Sequence, residues 1–527
     1  MKHKKSLIIL LSIVTTVLLI VFITTLLVKP WVRNKIEGTF NEKNSDYIVT
    51  IDKVNSSIIP SGIELEGIKI CSKKDYSGII DLNGEIGSIN LKGINLAKAI
   101  FKRDVNIRKI IISESYLMVK ISSRRDTVIP IVLPLNMRIG IVFFDKINLS
   151  VENNANAASY SLTDGFVRLY DVHFEKQDTL SPYIIKQFDF EAEKLVSVSS
   201  EGMHSFSAGG ITYSATSNTL TINSFSVHPN YTDYDFTSRY EFQTSRIEAS
   251  FSNIHVYDFN IADYFRSGSL ISSWTEIGEM DMKVFRDKRK KFRHVNKPAF
   301  QNMIYNYPGT IQIDSIGIIK GNVTYTEHAE EANEPGSISF NDINAKIYKI
   351  TNDTIYKTVT AFLEFKGDAM LMGKGKMTIL LKGRIFDSHN TFSLNGTLSD
   401  LEANELNPIL EKNAFIYATS GKIDTMNFSF TANNTKATGK MTMLYHGLEI
   451  AVKNKRTDDT TAFRERFISL FANKRVPDSN PIPGKKMIEG IIDSERDPEK
   501  FIFHYCFVSI LSGIKSSLVN NPNKSKN

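Results

Sequence analysis

Apolar and polar residues alternate along most of this chain, with a period of two. The alternation recurs in segments rich in β-branched and aromatic residues, which Gly, Asn, Asp and Ser separate. Successive side chains of a strand point to opposite faces, so this period predicts strands with one apolar and one polar face. Since long helical patterns are nearly absent from the middle of the chain, we predict a mostly β, antiparallel fold. The clearest segments are residues 107–121, 210–222, 309–327, 363–365, 392–398 and 426–430.

The alternation is not perfect, as residues 220–227 illustrate. Leu220 and Ile222 share one parity, whereas Phe225 and Val227 share the other. An extra residue in a strand shifts the parity of the residues that follow it. We therefore predict a β-bulge or a break in this strand.

The start of the chain departs from this pattern. After Lys2, Lys4 and Lys5, residues 7–28 are apolar apart from Ser and Thr. About 22 helical residues extend ~33 Å, enough to cross the hydrocarbon core of a bilayer. No small-residue cleavage site follows, so we predict an uncleaved signal anchor, a cytoplasmic N-terminus and an exported body. The predicted anchor residues are Leu7, Ile8, Ile9, Leu10, Leu11, Leu18, Leu19, Ile20, Phe22, Leu26, Leu27, Val28 and, at the far interface, Trp31.

Helical patterns return near the end of the chain. Residues 461–472 place Phe463 and Phe467 on one face. Asp497-Pro498 is typical of a helix start, and residues 501–514 are apolar almost all round. This last helix is too short to span a bilayer, so it either caps the sheet or lies at a membrane surface.

A faint internal similarity links two short segments. Residues 95–103 resemble residues 260–267, and each is compatible with a short amphipathic helix that precedes a strand. Two copies favour an elongated array of repeated units over compact separate domains.

Composition narrows the possible functions. A hydrophobic content of 42% with 10% aromatic residues predicts a folded body rather than a disordered one. The net charge of +7 is spread thinly over 527 residues, so we expect no nucleic-acid partner. Cys71 and Cys506 are far apart in sequence and are interpreted as two buried thiols, since a disulfide would require them to be adjacent.

Two charged clusters and the absence of motifs complete the chemistry. The basic run at residues 283–294 is either a solvated loop or a contact for anionic headgroups. The acidic loop that contains Glu327, His328, Glu330, Glu331 and Glu334 lacks the fixed spacing of a metal site, so no metal is expected. We find no catalytic signature and expect neither enzyme activity nor a cofactor.

Residues 29–120 resemble the N-terminal region of the AsmA-like family of membrane-anchored periplasmic proteins. The resemblance is carried by Pro30-Trp31 after the anchor, by residues 50–70 and 85–93, and by the Ile-rich strand that ends near residue 120. Residues 309–452 are similar to the C-terminal AsmA-like domain. The resemblance implies a long β-sheet curled into a groove with an apolar interior, and a role in phospholipid movement between the two membranes of diderm bacteria or in outer-membrane assembly.

This resemblance, with the patterns above, predicts the organisation of the chain. Candidate groove-lining residues follow strand parity, although the core of an ordinary sandwich would use the same residues. These candidates are Ile111, Leu117, Val119, Phe365, Ile379, Leu381, Leu394 and Phe428. The predicted segments are residues 1–5 (cytoplasmic), 6–28 (anchor), 29–135 (AsmA-like N-terminal β region), 136–308 (unassigned β region), 309–455 (AsmA-like C-terminal β region), 456–519 (helical cap) and 520–527 (disordered tail).

The expected function is lipid handling without catalysis. We expect a single-pass protein of the inner membrane of a Gram-negative bacterium, whose periplasmic body binds phospholipid acyl chains and contributes to phospholipid transport to, or homeostasis of, the outer membrane. One alternative is an assembly factor that binds outer-membrane or other envelope proteins through its sheet edges. Another is an exported hydrolase with its active site in the unassigned region.

Overall fold

The computed structural model describes most of the chain that follows the predicted anchor. Contacts divide the chain into two compact units, residues 1–217 with 221–223, and residues 218–220 with 224–527. The predicted anchor, Trp31, the segments 95–103 and 461–472 and the tail 520–527 lie outside the described residues. The described residues are 33–34, 37–38, 41, 47–58, 61–73, 80–94, 104–122, 136–154, 157–174, 183–358, 362–452 and 476–518.

The first unit is built from strands. They are β1 (Tyr47–Ile58), β2 (Ser61–Ser72), β3 (Ile80–Ile94), β4 (Asp104–Ile121), β5 (Asn136–Asn153), β6 (Ala158–Phe174), β7 (Tyr183–Val198) and β8 (His204–Ser214). β9 (Thr219–Pro229) has residues in both units.

The second unit combines strands with short helices. Its strands are β10 (Ser245–Tyr257), β11 (Leu270–Asp287), β12 (Ile311–His328), β13 (Gly336–Thr351), β14 (Leu363–Leu371), β15 (Gly375–Gly383), β16 (Phe392–Glu402), β17 (Ile416–Ala432), β18 (Lys436–Val452) and β19 (Glu489–Glu495). Its helices are α1 (Asp233–Ser238), α2 (Ile261–Ser267), α3 (Phe300–Tyr305), α4 (Asn407–Asn413) and α5 (Ile502–Leu518), with 3₁₀ turns at Thr354–Thr358 and Ala403–Leu406.

The strands belong to one large, mixed sheet, which confirms the mostly β prediction. Most neighbouring strands are antiparallel, but β4 pairs in parallel with β5, and β11 in parallel with β12. The prediction of an antiparallel sheet is therefore corrected to a mixed one. Within each unit the sheet is also uncurled, where the sequence predicted a curled groove. Period-two alternation is the same in all these arrangements, so it could not distinguish them.

The two parallel steps occur at equivalent places. Residues 95–103 precede β4, and the similar α2 segment precedes β11; both of these strands have 18 residues. Asn260 caps α2, because its Oδ1 accepts hydrogen bonds from the backbone N–H groups of Ala262 and Asp263. The sequence similarity thus marks two places where a short segment precedes an 18-residue strand, and where that strand pairs in parallel with the next one.

A line of irregular backbone positions, which we call the bulge line, crosses the first unit. At one level of the register, the Cα pairing omits one residue of each strand in the pairs β1/β2 to β4/β5, β6/β7 and β7/β8, and the register itself shifts there in β5/β6. Around this bulge line, buried apolar residues are three apart instead of two, as with Ile51 and Val54 in β1 or Leu65 and Ile68 in β2. Five residues of the line have positive φ, namely Gly67 (62°), Glu114 (54°), Lys146 (57°), Asp164 (43°) and Gly210 (61°).

The bulge line preserves the two faces of the sheet. All strands shift parity at the same level, so apolar side chains on both sides of the line remain on one face. The irregularity predicted at residues 220–227 lies on the same line, because a Cβ added to Gly210 would be 2.2 Å from Nδ2 of Asn223.

The second unit has a core on one face of its sheet. Buried side chains of β16, β17 and β18, among them Leu401, Phe430 and Met441, form a cluster with Tyr505 and Leu518 of α5. The 3₁₀ turn Ala403–Leu406 and α4 add Leu406 and Leu410 at its margin. Helices therefore cover the apolar face here.

The bulge line makes a prediction about stability. Glu114→Val is expected to lower the free energy of unfolding by about 1–2 kcal/mol, because a β-branched side chain is strained at positive φ. Glu114→Gly, which suits this conformation, should not destabilise the protein. Urea unfolding followed by circular dichroism measures both. The matched control is Lys120→Val in the same strand, for which less than about 1 kcal/mol is expected; an equal loss in the control would refute the strain.

Candidate functional site

The apolar face of the first unit is organised in rows that run across the strands. Directly opposed residues of successive strands form each row, and β1 to β8 all contribute. We call these sets the apolar rows. One consists of Val54, Leu65, Ile89, Ile112, Phe144, Val167, Phe190 and Tyr213, and a second of Val49, Ile70, Gly84, Leu117, Leu149, Leu162, Leu195 and Ala208.

The apolar rows form a wide surface. Eight strands at a spacing of about 4.8 Å give a width of ~34 Å. Most side chains in the rows are half-buried. Val49, Val54, Leu65, Ala208 and Tyr213 are buried, and Leu195 is exposed. The helices α1–α5 belong to the second unit, and the described helical residues of the first unit are 33–34, 37–38 and 41. Among the described residues, the face therefore differs from that of the second unit, where helices cover the apolar side chains.

The structure separates the three groove candidates of β4. Leu117 lies in an apolar row, and Val119 has the same parity, opposite Leu82 and Val151. Ile111, which the sequence placed on the same face, lies on the other one because the bulge at Glu114 intervenes. Its neighbour across β5 is Phe143, whose ring carries Lys109 and Arg168 at 5.6 and 5.1 Å from its centroid.

The five candidates of the second unit share one face. Phe365, Leu381 and Leu394 are directly opposed on β14, β15 and β16, and Ile379 and Phe428 flank Gly396 in the next row. Leu394 and Phe428 are only 5% exposed and belong to the helix-covered cluster. A hollow of about 370 Å³ lies around Ile379, Gly396 and Phe428. These candidates are therefore mainly core residues.

The last helix caps the sheet. Its buried face includes the small residues Ser509, Gly513 and Ser517. Gly513 lies so close to the sheet that a Cβ added to it would be 2.8 Å from Cγ1 of Ile492. Asp497 accepts a hydrogen bond from the N–H of Glu499 in the preceding turn, and the helix begins at Ile502 rather than at Asp497. The opposite face of α5 exposes Phe503 by 84%.

Side chains occupy the free edges of β1 and β19. The N–H groups of Val49 and Ile51 donate to Oδ1 of Asn41 (2.8 Å) and Oε1 of Glu37 (2.9 Å). In β19, the N–H groups of Ile491 and Asp493 donate to the hydroxyls of Ser516 (3.0 Å) and Ser512 (3.1 Å) of α5. Such edge groups are otherwise available to pair with another strand.

Several side chains of the basic run at residues 283–294 form ion pairs and hydrogen bonds within the protein. Arg289 makes a double hydrogen bond to the buried carboxylate of Asp287 (2.9 and 2.8 Å), and Lys288 pairs with Glu327 (2.7 Å). His294 contacts Glu499 at 2.9 Å. These contacts favour a structural role over a headgroup-binding one. The Arg289 hydrogen bonds hold the pKa of Asp287 below its usual value despite burial of that carboxyl.

The side chains of Glu327 and His328 in the acidic loop already form hydrogen bonds within the protein. Glu327 accepts hydrogen bonds from Tyr325 (2.6 Å) and Asn413 (3.0 Å) besides Lys288. The imidazole of His328 lies 2.9 Å from the hydroxyl of Tyr234 and 2.8 Å from the carbonyl of Ala332. Within the described part of the chain, no group of three or more His, Cys, Asp or Glu side chains could hold a metal ion.

The two cysteines are free thiols in different environments. Cys71 is exposed, which corrects the prediction that both are buried. Cys506 lies on α5, where burial raises the pKa of its thiol to about 12.

None of the helices in the described part of the chain is long and apolar enough to cross a membrane, and the predicted anchor lies outside that part. Comparison of the chain with protein-family models finds no matching family, and comparison with curated proteins finds no match.

Two of the features above escaped the sequence analysis. The bulge line could have been recognised from pairs of apolar residues three apart, such as Leu65 and Ile68, at the centre of successive strands. The edge contacts of Ser512 and Ser516 leave no such pattern, because serine is common on helix surfaces.

Acid should reveal the role of Arg289. We expect Arg289→Ala to lower the free energy of unfolding by about 1–3 kcal/mol at neutral pH, since it leaves the buried Asp287 carboxylate without its partner. The folded-state pKa of Asp287 is lowered, so its contribution is present above the ordinary pKa of about 3.9 and is lost as the pH falls below it. The difference between the two proteins should shrink in that range. Lys291→Ala removes a cation of the same run and should show neither effect.

The edge of β19 can be opened by substitution. Ser512→Ala with Ser516→Ala leaves two strand N–H groups without their acceptors and should cost about 1–2 kcal/mol in total. Light scattering should also show concentration-dependent association through the exposed edge. Ser512→Thr keeps a hydroxyl and serves as the control. Unchanged stability and a monodisperse double variant would show that water satisfies this edge.

Proposed function

We propose that this protein is a membrane-anchored, exported lipid-binding protein that takes phospholipid acyl chains onto the apolar rows of its first unit. It would contribute in this way to phospholipid transport to, or homeostasis of, the outer membrane. The observation that carries the proposal is the continuity of the apolar rows across eight strands. The apolar face takes the place of the curled groove that the sequence suggested.

The physical basis is the removal of hydrocarbon from water. Each CH₂ group that leaves water contributes about 0.8 kcal/mol. An acyl chain lying along a row would meet a new apolar side chain at every strand, about 4.8 Å further on. Binding of this kind requires no catalytic group, which agrees with the expectation that the protein is not an enzyme.

The hydrogen bonds at the edges of β1 and β19 favour lipid binding on the apolar face over strand addition at the sheet edges. An assembly factor that adds strands of a client protein to its sheet needs free N–H and C=O groups at an edge. Two such N–H groups in each of β1 and β19 are bonded, to Asn41 and Glu37 in β1 and to Ser516 and Ser512 in β19. The predicted anchor at residues 6–28 and the resemblance to AsmA-like proteins support a lipid ligand at a membrane.

Adjacent residues on opposite faces provide a sharp test. The full chain, extracted gently from membranes, should carry phospholipid in native mass spectrometry and lipid extraction. Ile112→Asp places a charge in the middle of an apolar row and should reduce bound phospholipid at least about tenfold, because burying a carboxylate against acyl chains is costly. The control Ile111→Asp introduces the same charge one residue away on the opposite face and should retain the lipid.

Folding must be monitored in the same experiment. Circular dichroism melts of both variants identify any loss of lipid that is due to unfolding, and Leu117→Asp provides a second substitution in a row. A folded, lipid-free wild-type protein, or an equal loss in the Ile111 variant, would overturn the proposal.

A further inference from the structure

A hollow of about 390 Å³ lies in the first unit, at the end of the sheet where β4 and β5 begin and β6 ends. Its polar lining comes from Asn106 and Arg108 of β4, Arg138 of β5, and Asp171 and His173 of β6. Asn106 and Arg138 immediately precede Ile107 and Ile139, which are buried in an apolar cluster. By strand alternation, Asn106 and Arg138 therefore point to the opposite, polar face.

The register brings the donors together. Asn106 is directly opposite Arg138, and Arg138 is directly opposite His173. These three side chains stand in one row on adjacent strands, about 4.8 Å apart from strand to strand. All three carry N–H groups that can donate hydrogen bonds.

A glycine positions the second arginine. Gly93 of β3 has a φ of 71°, and a Cβ added to it would lie 2.8 Å from Cβ and 3.2 Å from Nε of Arg108. The guanidinium stem of Arg108 therefore lies directly over the bare glycine backbone. A larger residue in place of Gly93 would displace the arginine from the hollow.

The donors of this hollow are not matched by acceptors. Nδ2 of Asn106 is buried and has no hydrogen-bond partner among the described residues. Within that same part of the chain, neither Arg108 nor Arg138 forms a salt bridge. The carboxylate of Asp171 lines the hollow, but it is 3.7 Å from Nζ of Lys186 on the neighbouring strand. A buried donor without an acceptor, such as Nδ2 of Asn106, is rare in folded proteins and calls for an acceptor from outside the chain. The side chains of Arg108 and Arg138 are exposed, so their donors are accessible to a ligand.

We propose that this hollow, which we name the arginine hollow, binds a phosphate group. Arg guanidinium groups present planar pairs of N–H donors that match phosphate oxygens, and the amide of Asn106 and the imidazole of His173 supply further donors. The phosphate could be that of a phospholipid headgroup or a soluble phosphate ester. The site lies on the opposite face from the apolar rows, so it stands independently of the function proposed above.

Titration with inorganic phosphate tests the site. Full-length protein in a phosphate-free nonionic detergent is titrated by isothermal calorimetry, and saturable binding of one phosphate is expected. Arg108→Gln and Arg138→Gln should each weaken binding at least about tenfold, the effect of losing charge-assisted hydrogen bonds. Arg138→Lys, which keeps the charge but not the planar fork, should fall between them and the wild type.

A neighbouring arginine serves as the control. Arg168 of β6 stacks on Phe143 and approaches Asp189 at 3.9 Å, outside the arginine hollow. Arg168→Gln should therefore leave phosphate binding unchanged, and melting temperatures verify that all variants are folded. Absence of saturable binding up to about 10 mM phosphate, or an equal loss in the Arg168 variant, would overturn the proposal.

Competition identifies the source of the phosphate. Dihexanoyl phosphatidylglycerol, a soluble short-chain phospholipid, displaces phosphate from the wild-type protein if the site receives lipid headgroups. Glycerol 3-phosphate alone displaces it if the site receives soluble esters. Either displacement supports the phosphate site, and dihexanoylglycerol, which lacks the phosphate, must not compete.

Discussion

The bulge line is the constraint on which the rest of the first unit depends. A parity shift in one strand alone would exchange the faces of that strand beyond the shift and interrupt the rows that cross it. Here the parity shift occurs at the same register level from β1 to β8, so the apolar face continues across it. Non-glycine residues such as Glu114 and Lys146 adopt positive φ to achieve this. The backbone strain at these positions is thus tied to the continuity of a surface rather than to a single contact.

The two units use the same alternation of apolar and polar residues in different ways. In the second unit, α5 and its neighbours lie on the apolar face, and Gly490 and Gly513 permit the close approach of helix and sheet. In the first unit, the described helical residues are 33–34, 37–38 and 41, and most side chains of the rows remain half-buried. Whether an apolar face becomes a core or a binding surface is decided by what covers it, which strand periodicity does not encode.

The sequence therefore predicted the strands, but not all of their pairings or the face on which each residue lies. The mostly β fold and the helix at residues 261–267 were accessible, because each depends on local pattern. The sequence left open whether the last helix caps the sheet or lies at a membrane surface. The face of Ile111 was wrong, since the positive-φ residue Glu114, three residues later, reverses the parity that relates Ile111 to Leu117. The parallel pairings of β4 with β5 and of β11 with β12 are set by long-range register. Asn106, Arg138 and His173 are similarly far apart in sequence and meet only through that register.

The side chains that bond to the two edge strands also have a definite order along the chain. Glu37 and Asn41, which bond to β1, precede that strand in the chain, whereas Ser512 and Ser516, which bond to β19, follow theirs. Consecutive strands pair with one another, so a chain that emerges from its N-terminus adds each new strand to the one made just before. Glu37 and Asn41 are therefore present before β1 forms, and the newest strand carries the open edge. α5 follows β19 in the chain and bonds to the edge of that strand once it has formed.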